Sequence, residues 1–250
     1  MRKTKAAQGI LEEIYGRLFK EFGPQHWWPG ESPFEVMVGA ILTQNTNWGN
    51  VERAIRNLKA YKMLSPRALH EISHARLAPL IRPAGYFNVK ARRLKNFINF
   101  LFEEYQGSLK KMAEEPWPRL RHKLLGVNGV GPETADSILL YAFEKPVFVV
   151  DAYTRRILYR HNLAGKDAGY HHIQKLFMTH LDHDVRIFNE YHALIVRLGK
   201  DYCRPKPLCE RCVLNDVCYS LVSKCGHCHR ALKNPAKRRS ARELSCKDCS

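Results

Sequence analysis

Apolar residues recur at helical spacing along almost the whole chain, and this pattern constrains the fold more than any other feature. The repeat is clear in the stretches GILEEIYGRLF, VERAIRNLKAY, ARRLKNFINFLFEEY and YHALIVRLG. The one strand-like run is PVFVV at 146–150, and it is short. Prolines stand at helix starts and in loops. We therefore predict an all-α protein of about ten helices.

The charge balance predicts a polyanionic partner, because the 250 residues carry a formal net charge of +17. A membrane surface fits less well, since no basic segment has a broad apolar face. The longest apolar runs are too short to span a bilayer. The N-terminal stretch reads as an amphipathic helix rather than a secretory signal.

The stretch VNGVGPETA at 127–135 places two glycines between two helical segments. Gly129 and Gly131 allow a tight turn and a close backbone approach, and Pro132 suits the first position of the second helix. The N–H groups of that helix start can then bind a phosphate without reading sequence, with Thr134 as a further DNA contact. A plain helix–turn–helix corner is the alternative. Glu133, a carboxylate in the first turn, is unexpected in so basic a chain.

Asp151 follows the apolar run PVFVV and precedes the helical stretch AYTRRIL. Two interpretations of this position remain open. The aspartate is either an ordinary helix N-cap, or a carboxylate held at the mouth of a cleft beside the hairpin.

Together, LLGVNGVGPETADSILLYAF and VVDAYTRRIL resemble the helix–hairpin–helix and following aspartate of the endonuclease III superfamily of DNA glycosylases. The resemblance covers roughly residues 25–218 and keeps the motifs in order. It implies a two-domain all-α fold, double-stranded DNA with a damaged base as the partner, and Asp151 as the catalytic carboxylate. In the family this aspartate stabilises the oxocarbenium-like sugar as the base departs and orients the nucleophile.

Bifunctional members of the superfamily carry a lysine in the second hairpin helix that attacks the sugar. Glu133 occupies that position, 18 residues before Asp151 (151 − 133), so the resemblance implies a monofunctional enzyme that uses water. Nothing in the sequence favours Lys123 or Lys145 as a substitute. Adenine glycosylases carry a catalytic glutamate where Ala40 stands, which argues against an adenine-mispair enzyme.

Three tryptophans surround the early helix: Trp27 and Trp28 in HWWPG, and Trp48 after TQNT. They can serve either as core residues or as an aromatic slot. The pattern resembles that of the 3-methyladenine DNA glycosylases of endonuclease III type, whose aromatic pocket holds a flipped purine. N-alkylated purines carry a positive charge, which favours aromatic faces by about 0.5–2 kcal/mol.

The superfamily fills the gap left by a flipped base with side chains, and the resemblance gives this role to Gln44 and Asn45. The loop RPAGYFNVKARRL resembles the wedge loop of the family, with Tyr86 as the candidate for intercalation. Tyr86 packed beneath the loop is the alternative. Three basic residues of this stretch are predicted to point toward phosphate, or to form a solvated face: Lys90, Arg92 and Arg93.

All eight cysteines lie after residue 200, at spacings typical of metal ligands in a reducing compartment. Cys203, Cys209, Cys212 and Cys218 suit a [4Fe–4S] cluster or zinc. The resemblance favours the cluster, although the first gap is one residue shorter than in the family. Cys225, Cys228, Cys246 and Cys249 have zinc-ribbon spacing around a basic segment, which would be a second DNA contact.

The predicted domains are a six-helix barrel domain at 26–145 that includes the hairpin, an iron–sulfur domain at 1–25 and 146–218, and a basic zinc-binding tail at 219–250. We expect a monomeric, cytoplasmic, nucleoid-associated base-excision enzyme that is monofunctional and removes alkylated purines such as 3-methyladenine. An endonuclease III-like pyrimidine or mismatch glycosylase, with or without lyase activity on abasic sites, is the alternative within enzymes. A non-catalytic, metal-stapled DNA-binding protein is the alternative of another class.

Overall fold

The computed structural model describes residues 2–215, and every regular element within them is helical. The α-helices of these residues are, in chain order, α1 Arg2–Phe22, α2 Pro33–Leu42, α3 Trp48–Ala60, α4 Pro66–Glu71, α5 His74–Leu80, α6 Phe87–Tyr105, α7 Leu109–Glu114, α8 Trp117–Gly126, α9 Pro132–Ser137, α10 Ala152–Arg160, α11 Tyr170–His180 and α12 Val185–Asp201. Short 3₁₀ turns lie at Arg82–Ala84 and Cys209–Arg211, and a π-helical turn at Ile138–Ala142 continues α9. The predicted all-α class is confirmed for this part of the chain. None of its helices has the length and the apolar content that a membrane span requires.

The chain divides into two units. One is Trp28–Val147, and the other joins the segment up to Trp27 with the chain from Phe148 onward. The predicted domains differ from this division by two residues at each boundary (27 − 25 and 147 − 145). The predicted zinc-binding tail at 219–250 lies outside the described residues.

Helix α2 is the central helix of the unit Trp28–Val147, and it contacts α3, α6, α9 and the π turn. All its residues from Phe34 to Leu42 are buried, as expected for a helix that is apolar on every side. Glu35 is the one charged residue of α2, and its carboxylate pairs with Lys59 Nζ at 2.9 Å. Because α2 is fixed on all sides, the turn that follows it, Thr43–Thr46, starts from a defined point.

In the other unit, α1 packs on α11 and α12, and α10 packs on α12. The strand-like run PVFVV is extended and buried, but it pairs with no strand among the described residues. Side chains of α11 satisfy its backbone: Gln174 Nε2 donates to Phe148 O at 2.8 Å, and Tyr170 Oη accepts from Val150 N at 3.4 Å. The rings of Phe148 and Phe177 stack at 3.7 Å. Because this segment is packed against α11, the position of Asp151 at the start of α10 is well defined.

Candidate active site and nucleic-acid interface

The turn between α8 and α9, Val127–Gly131, is a hairpin that requires glycine at one position. Gly129 has φ +95°, and a Cβ built on it would lie 2.2 Å from Cγ of Arg93. Both the backbone angle and the neighbouring side chain therefore exclude other residues. Gly131 takes the N-cap position of α9 in an extended conformation, and Pro132 follows as the first helical residue.

A buried ion pair clamps the two helices of the hairpin together. Arg121 of α8 donates from Nε to Asp136 Oδ1 at 2.6 Å and from Nη2 to Oδ2 at 2.9 Å. The carboxylate of Asp136 is fully buried. Two parallel bonds fix direction as well as distance, so this pair sets the angle at which α8 enters the turn.

Glu133 is exposed in the first turn of α9. A carboxylate at this place faces the positive end of the helix dipole and the N–H groups of the first turn, an arrangement that stabilises a helix start. The next residue, Thr134, is buried, and its hydroxyl accepts a bond from Gln44 Nε2 at 2.9 Å. Glu133, which the sequence resemblance aligns with the lysine of bifunctional glycosylases, is thus a surface residue here.

Lys123 does not suit the role of a substitute nucleophile. Its ammonium contacts Glu104 at 3.0 Å and Glu115 at 3.1 Å. The bonds to Glu104 and then to Glu115 raise the pKa of Lys123 above its usual range. A nucleophilic amine must lose its proton, and these partners hold the proton in place.

Trp28, Trp48 and Tyr141 form an aromatic cluster. The centroid of the Trp28 ring lies 5.1 Å from those of Trp48 and Tyr141, edge-on to the first and tilted to the second. Gly39 of α2 makes room, since a Cβ there would lie 3.3 Å from Trp28 Nε1 and 3.5 Å from Trp48 Cη2. All three rings are half-buried. The structure thus places Trp28 and Trp48 in contact and adds the ring of Tyr141 to the cluster, while the pocket role stays a prediction.

Trp27, the other predicted pocket residue, is described with the other unit. There the ammonium of Lys200 lies 5.5 Å from the centroid of its ring. Tyr141, in contrast, was not predicted from sequence, because it lies in the apolar run SILLYAF, where a core residue and a pocket residue follow the same pattern.

The predicted gap-filling and wedge residues occupy tight turns. Asn45 is exposed with φ +53°, and Tyr86 is three-quarters exposed with φ +45°. Residues other than glycine adopt these φ angles at a cost in free energy. Such backbone strain is common where function requires a particular side chain in a turn. Gln44 is half-buried and turns inward, where its Nε2 donates to Gly129 O at 2.9 Å and its Oε1 accepts from Arg93.

Lys90 is not on the surface, and the predicted phosphate contact does not fit its position. Only 1% of the residue is exposed, and Nζ donates to Leu42 O at 2.9 Å and to Ala84 O at 2.7 Å. Burial, and secondarily the charge of Arg93, lowers the pKa of Lys90 to about 8. Its amine therefore joins two backbone segments inside the unit.

This buried lysine gives a prediction for the pH dependence of stability. The pKa of Lys90 is about 8 in the folded protein and 10.5 in an unfolded chain, so between these values the unfolded state binds more protons. The free energy of unfolding should therefore rise with pH across this window, and Lys90 should contribute no pH dependence below about pH 8. Urea unfolding of the native protein and of Lys90→Met at a series of pH values measures the difference. A difference that stays constant from pH 7 to pH 10.5 would contradict the assignment.

Asp151 has the geometry of a helix N-cap and also of a held carboxylate. Its Oδ1 accepts from Thr154 N at 2.7 Å and from Thr154 Oγ1 at 2.8 Å. Its Oδ2 faces the imidazole of His192, with Nε2 at 3.7 Å. The cap interpretation of the sequence is thus confirmed, because Oδ1 caps α10, and the catalytic role of the carboxylate stays a prediction.

His192 is buried on α12. Burial lowers the pKa of its imidazole, and the charge of Asp151 only partly opposes this shift. At neutral pH the carboxylate of Asp151 therefore faces a neutral ring rather than a cation. The imidazole of His192 thus does not offset the negative charge of the carboxylate.

The described cysteines follow α12. Cys203 is buried, its Sγ accepts a bond from Arg160 Nη1 at 3.2 Å, and its carbonyl accepts one from Arg156 Nε at 2.7 Å. Cys209 and Cys212 are half-buried around a 3₁₀ turn. Within residues 2–215, no three His, Cys, Asp or Glu side chains form a group that could hold a metal ion. The remaining predicted ligands lie outside this range: Cys218, Cys225, Cys228, Cys246 and Cys249.

The hairpin and Asp151 both lie within residues 38–182, which match a family model described as the HhH-GPD superfamily of base excision DNA repair proteins. The chain belongs to this superfamily. A provisionally named DNA repair glycosylase of Methanocaldococcus jannaschii is 47% identical over 84% of the chain and 96% of its own length. The endonuclease III of Thermotoga maritima is 29% identical over 84% of the chain and 92% of its own length.

Solved structures agree with the HhH-GPD assignment. The H. pylori 3-methyladenine DNA glycosylase MagIII, bound to 1,N6-ethenoadenine, has a TM-score of 0.67 and 28% identity, over 78% of this chain and 97% of its own. A non-covalent endonuclease III–DNA complex has a TM-score of 0.72 and 22% identity, over 84% and 94% of the two chains, and shows the shared fold. As an HhH-GPD protein the chain is a DNA glycosylase, a hydrolase that acts on N-glycosyl bonds.

Proposed function

We propose that this DNA glycosylase is monofunctional and removes N-alkylated purines such as 3-methyladenine from double-stranded DNA. The observation that carries the proposal is the aromatic cluster in which the ring centroid of Trp28 lies 5.1 Å from those of Trp48 and Tyr141. Aromatic faces attract a cationic base by about 0.5–2 kcal/mol. The likeness to MagIII, solved with a modified purine, supports the same substrate class.

The chemistry of an alkylated purine suits a site with few acidic or basic groups. When the bond between N9 and C1′ breaks, the electron pair leaves with the base and neutralises its positive charge, so the base needs no proton. The sugar becomes an oxocarbenium-like cation, which the carboxylate of Asp151 stabilises. The oxygen of a water molecule bonds to C1′, and the proton that this water loses passes to the solvent. Thr154 holds Asp151 Oδ1 through two bonds, so the carboxylate does not have to reorganise during the reaction.

Several other predicted residues engage the DNA. The hairpin with Gly129 and Gly131 grips a phosphate through backbone N–H groups, and Asn45 and Gln44 fill the gap left by the flipped base. Tyr86 enters the stack as a wedge, in agreement with its exposure of 75%. Unstacking a base costs a few kcal/mol, which these contacts offset.

The cysteine quartet beginning at Cys203 would bind a [4Fe–4S] cluster, and the second quartet a zinc ion. Support comes from the chemistry of the donors, because four thiolates at this spacing suit such a cluster. Arg160 Nη1 donates to Cys203 Sγ at 3.2 Å, so the first of the four sulfur atoms already has a defined position. A bound cluster would cross-link the loop after α12, and no step of the hydrolysis passes through it. Iron, acid-labile sulfide and zinc contents of the purified protein decide both assignments.

A substrate panel tests the proposed function. Duplexes containing 3-methyladenine, 7-methylguanine, thymine glycol or uracil are incubated with the protein, and released bases are measured. We expect release of the methylated purines, and no covalent adduct after borohydride treatment, because Glu133 cannot form a Schiff base. Release of thymine glycol without methylpurine would replace the alkylpurine assignment with a pyrimidine one. A trapped adduct would overturn the monofunctional assignment.

A further inference from the structure

One face of α6 carries three polar residues at intervals of three: Lys90, Arg93 and Asn96. At about 100° of rotation per residue, their side chains leave the helix within an arc of about 120°. Each of them bonds to, or packs against, one of three segments proposed to contact DNA. We call these the plug turn (Thr43–Thr46), the Tyr86 loop (82–86) and the hairpin (Val127–Gly131).

Lys90 joins the first two segments. Its Nζ donates to the carbonyl of Leu42, the residue before the plug turn, at 2.9 Å. It also donates to the carbonyl of Ala84, within the Tyr86 loop, at 2.7 Å. Both acceptors are backbone atoms, so the distance between the two segments is set by a single buried amine.

Arg93 joins the plug turn to the hairpin. The stem of Arg93 packs against Gly129, where a Cβ would lie 2.2 Å from its Cγ. Its guanidinium donates to Gln44 Oε1, and Gln44 in turn donates to Gly129 O and to Thr134 Oγ1, both at 2.9 Å. The amide of Gln44 is thus held between α6 and the hairpin.

Asn96 completes the set, since its Nδ2 donates to the carbonyl of Asn128 in the hairpin at 3.0 Å. The hairpin is therefore attached to α6 at two successive residues, by Asn96 through Asn128 and by Arg93 through Gly129. These attachments are separate from the pair Arg121–Asp136, which joins α8 to α9.

We infer that Lys90, Arg93 and Asn96 are positioning residues that hold the phosphate-gripping hairpin, the plug turn and the Tyr86 loop as one preorganised surface. This inference rests on the DNA-contacting roles proposed above for those segments. Without the attachments, each segment would lose conformational freedom separately when DNA binds, and the loss would weaken binding. With them, placing the hairpin on a phosphate also places the residues that fill the gap.

A double-mutant cycle tests this coupling without relying on base release. Affinity for a duplex with a tetrahydrofuran abasic-site analogue is measured by fluorescence anisotropy for Arg93→Ala, Gln44→Ala and the double variant. We expect each single change to weaken binding about ten-fold and the double variant to bind about as well as the weaker single variant, because either change breaks the same linkage. Arg67→Ala, which removes an exposed arginine of α4 paired with Glu71, is the charge-matched control. Its effect should be small and should add to that of Gln44→Ala.

Salt dependence separates positioning from direct phosphate binding. If Arg93 acts through Gln44, Arg93→Ala lowers affinity but leaves the slope of log affinity against log salt unchanged. A phosphate contact would reduce that slope by about 1. Either a reduced slope or additive effects in the cycle would overturn the inference.

A second readout requires only a folded protein. Hydrogen exchange at the amide of Val130, which bonds to Val127 O in the hairpin, should accelerate in Arg93→Ala and in Asn96→Ala. The amide of Thr154 in the other unit should be unaffected, and equal acceleration at both would reject the assignment. A protein that passes these tests but releases no methylated purine would refute the proposed substrate and leave the coupling intact.

Discussion

Replacing Asp151 with asparagine should lower the single-turnover rate of base release by about a thousand-fold while leaving DNA binding and the fold intact. Asparagine keeps an oxygen that can accept both bonds from Thr154, so the cap of α10 is preserved. What disappears is the negative charge that stabilises the oxocarbenium-like sugar, and losing one such preorganised interaction typically costs about a hundred- to a thousand-fold. Rapid-quench assays of base release, together with a binding titration, measure both quantities.

Asp184 provides a matched control for this change. It is the N-cap of α12 in the same unit, and its Oδ1 accepts from Arg186 N at 2.7 Å. Asp184→Asn removes one carboxylate charge from a capping position as Asp151→Asn does, but we expect normal base release. If the two variants were equally active, Asp151 would be only a cap and would have no part in the chemistry.

Replacing Gly129 with alanine should destabilise the unit Trp28–Val147 by about 2–4 kcal/mol and weaken DNA binding by an order of magnitude or more. The residue has φ +95°, and its new Cβ would lie 2.2 Å from Arg93 Cγ and 2.9 Å from Arg93 Cβ. The clash involves the stem of a side chain whose guanidinium is also bonded, so Arg93 cannot move aside without releasing Gln44. Thermal unfolding and DNA titration measure the two effects.

Gly126, three residues earlier at the end of α8, is the control for this second change. A Cβ there would meet nothing within 4 Å, and its backbone angle is not in the left-handed region. Gly126→Ala should therefore be neutral or should stabilise the helix by up to about 1 kcal/mol. Similar losses in both variants would show that neither position tolerates an added methyl group. The contact with Arg93 would then not explain the effect of Gly129→Ala.

The parts of the site that could be predicted from sequence are those encoded by local chemistry. The two glycines followed by Pro132 predict a hairpin because few other residues allow such a turn. Asp151 is identified by its place between an apolar run and a helix start. The sequence predicts the N-cap at Asp151 correctly, and a catalytic role for the same carboxylate stays a prediction.

Lys90 shows where sequence reasoning failed although a signal was present. Lysine is usually solvated, so it was grouped with its basic neighbours. Yet Lys90 falls in register with Leu94, Phe97 and Leu101, which all lie on the buried side of α6. A lysine at an apolar position of a helical repeat indicates a buried amine with backbone acceptors. The acceptors themselves, in Leu42 and Ala84, depend on tertiary structure and carry no local signal.

Tyr141 could not have been identified in this way, and the π turn Ile138–Ala142 explains why. An α-helix rotates by about 100° per residue, and a π turn inserts a residue without a matching advance along the axis. Deleting one residue from this turn would restore a regular helix and move the ring of Tyr141 about a quarter-turn away from Trp28. The number of residues in this turn therefore determines where the ring of Tyr141 lies. A single insertion or deletion in this turn would therefore change which ring lies beside Trp28, without any substitution at Tyr141 itself.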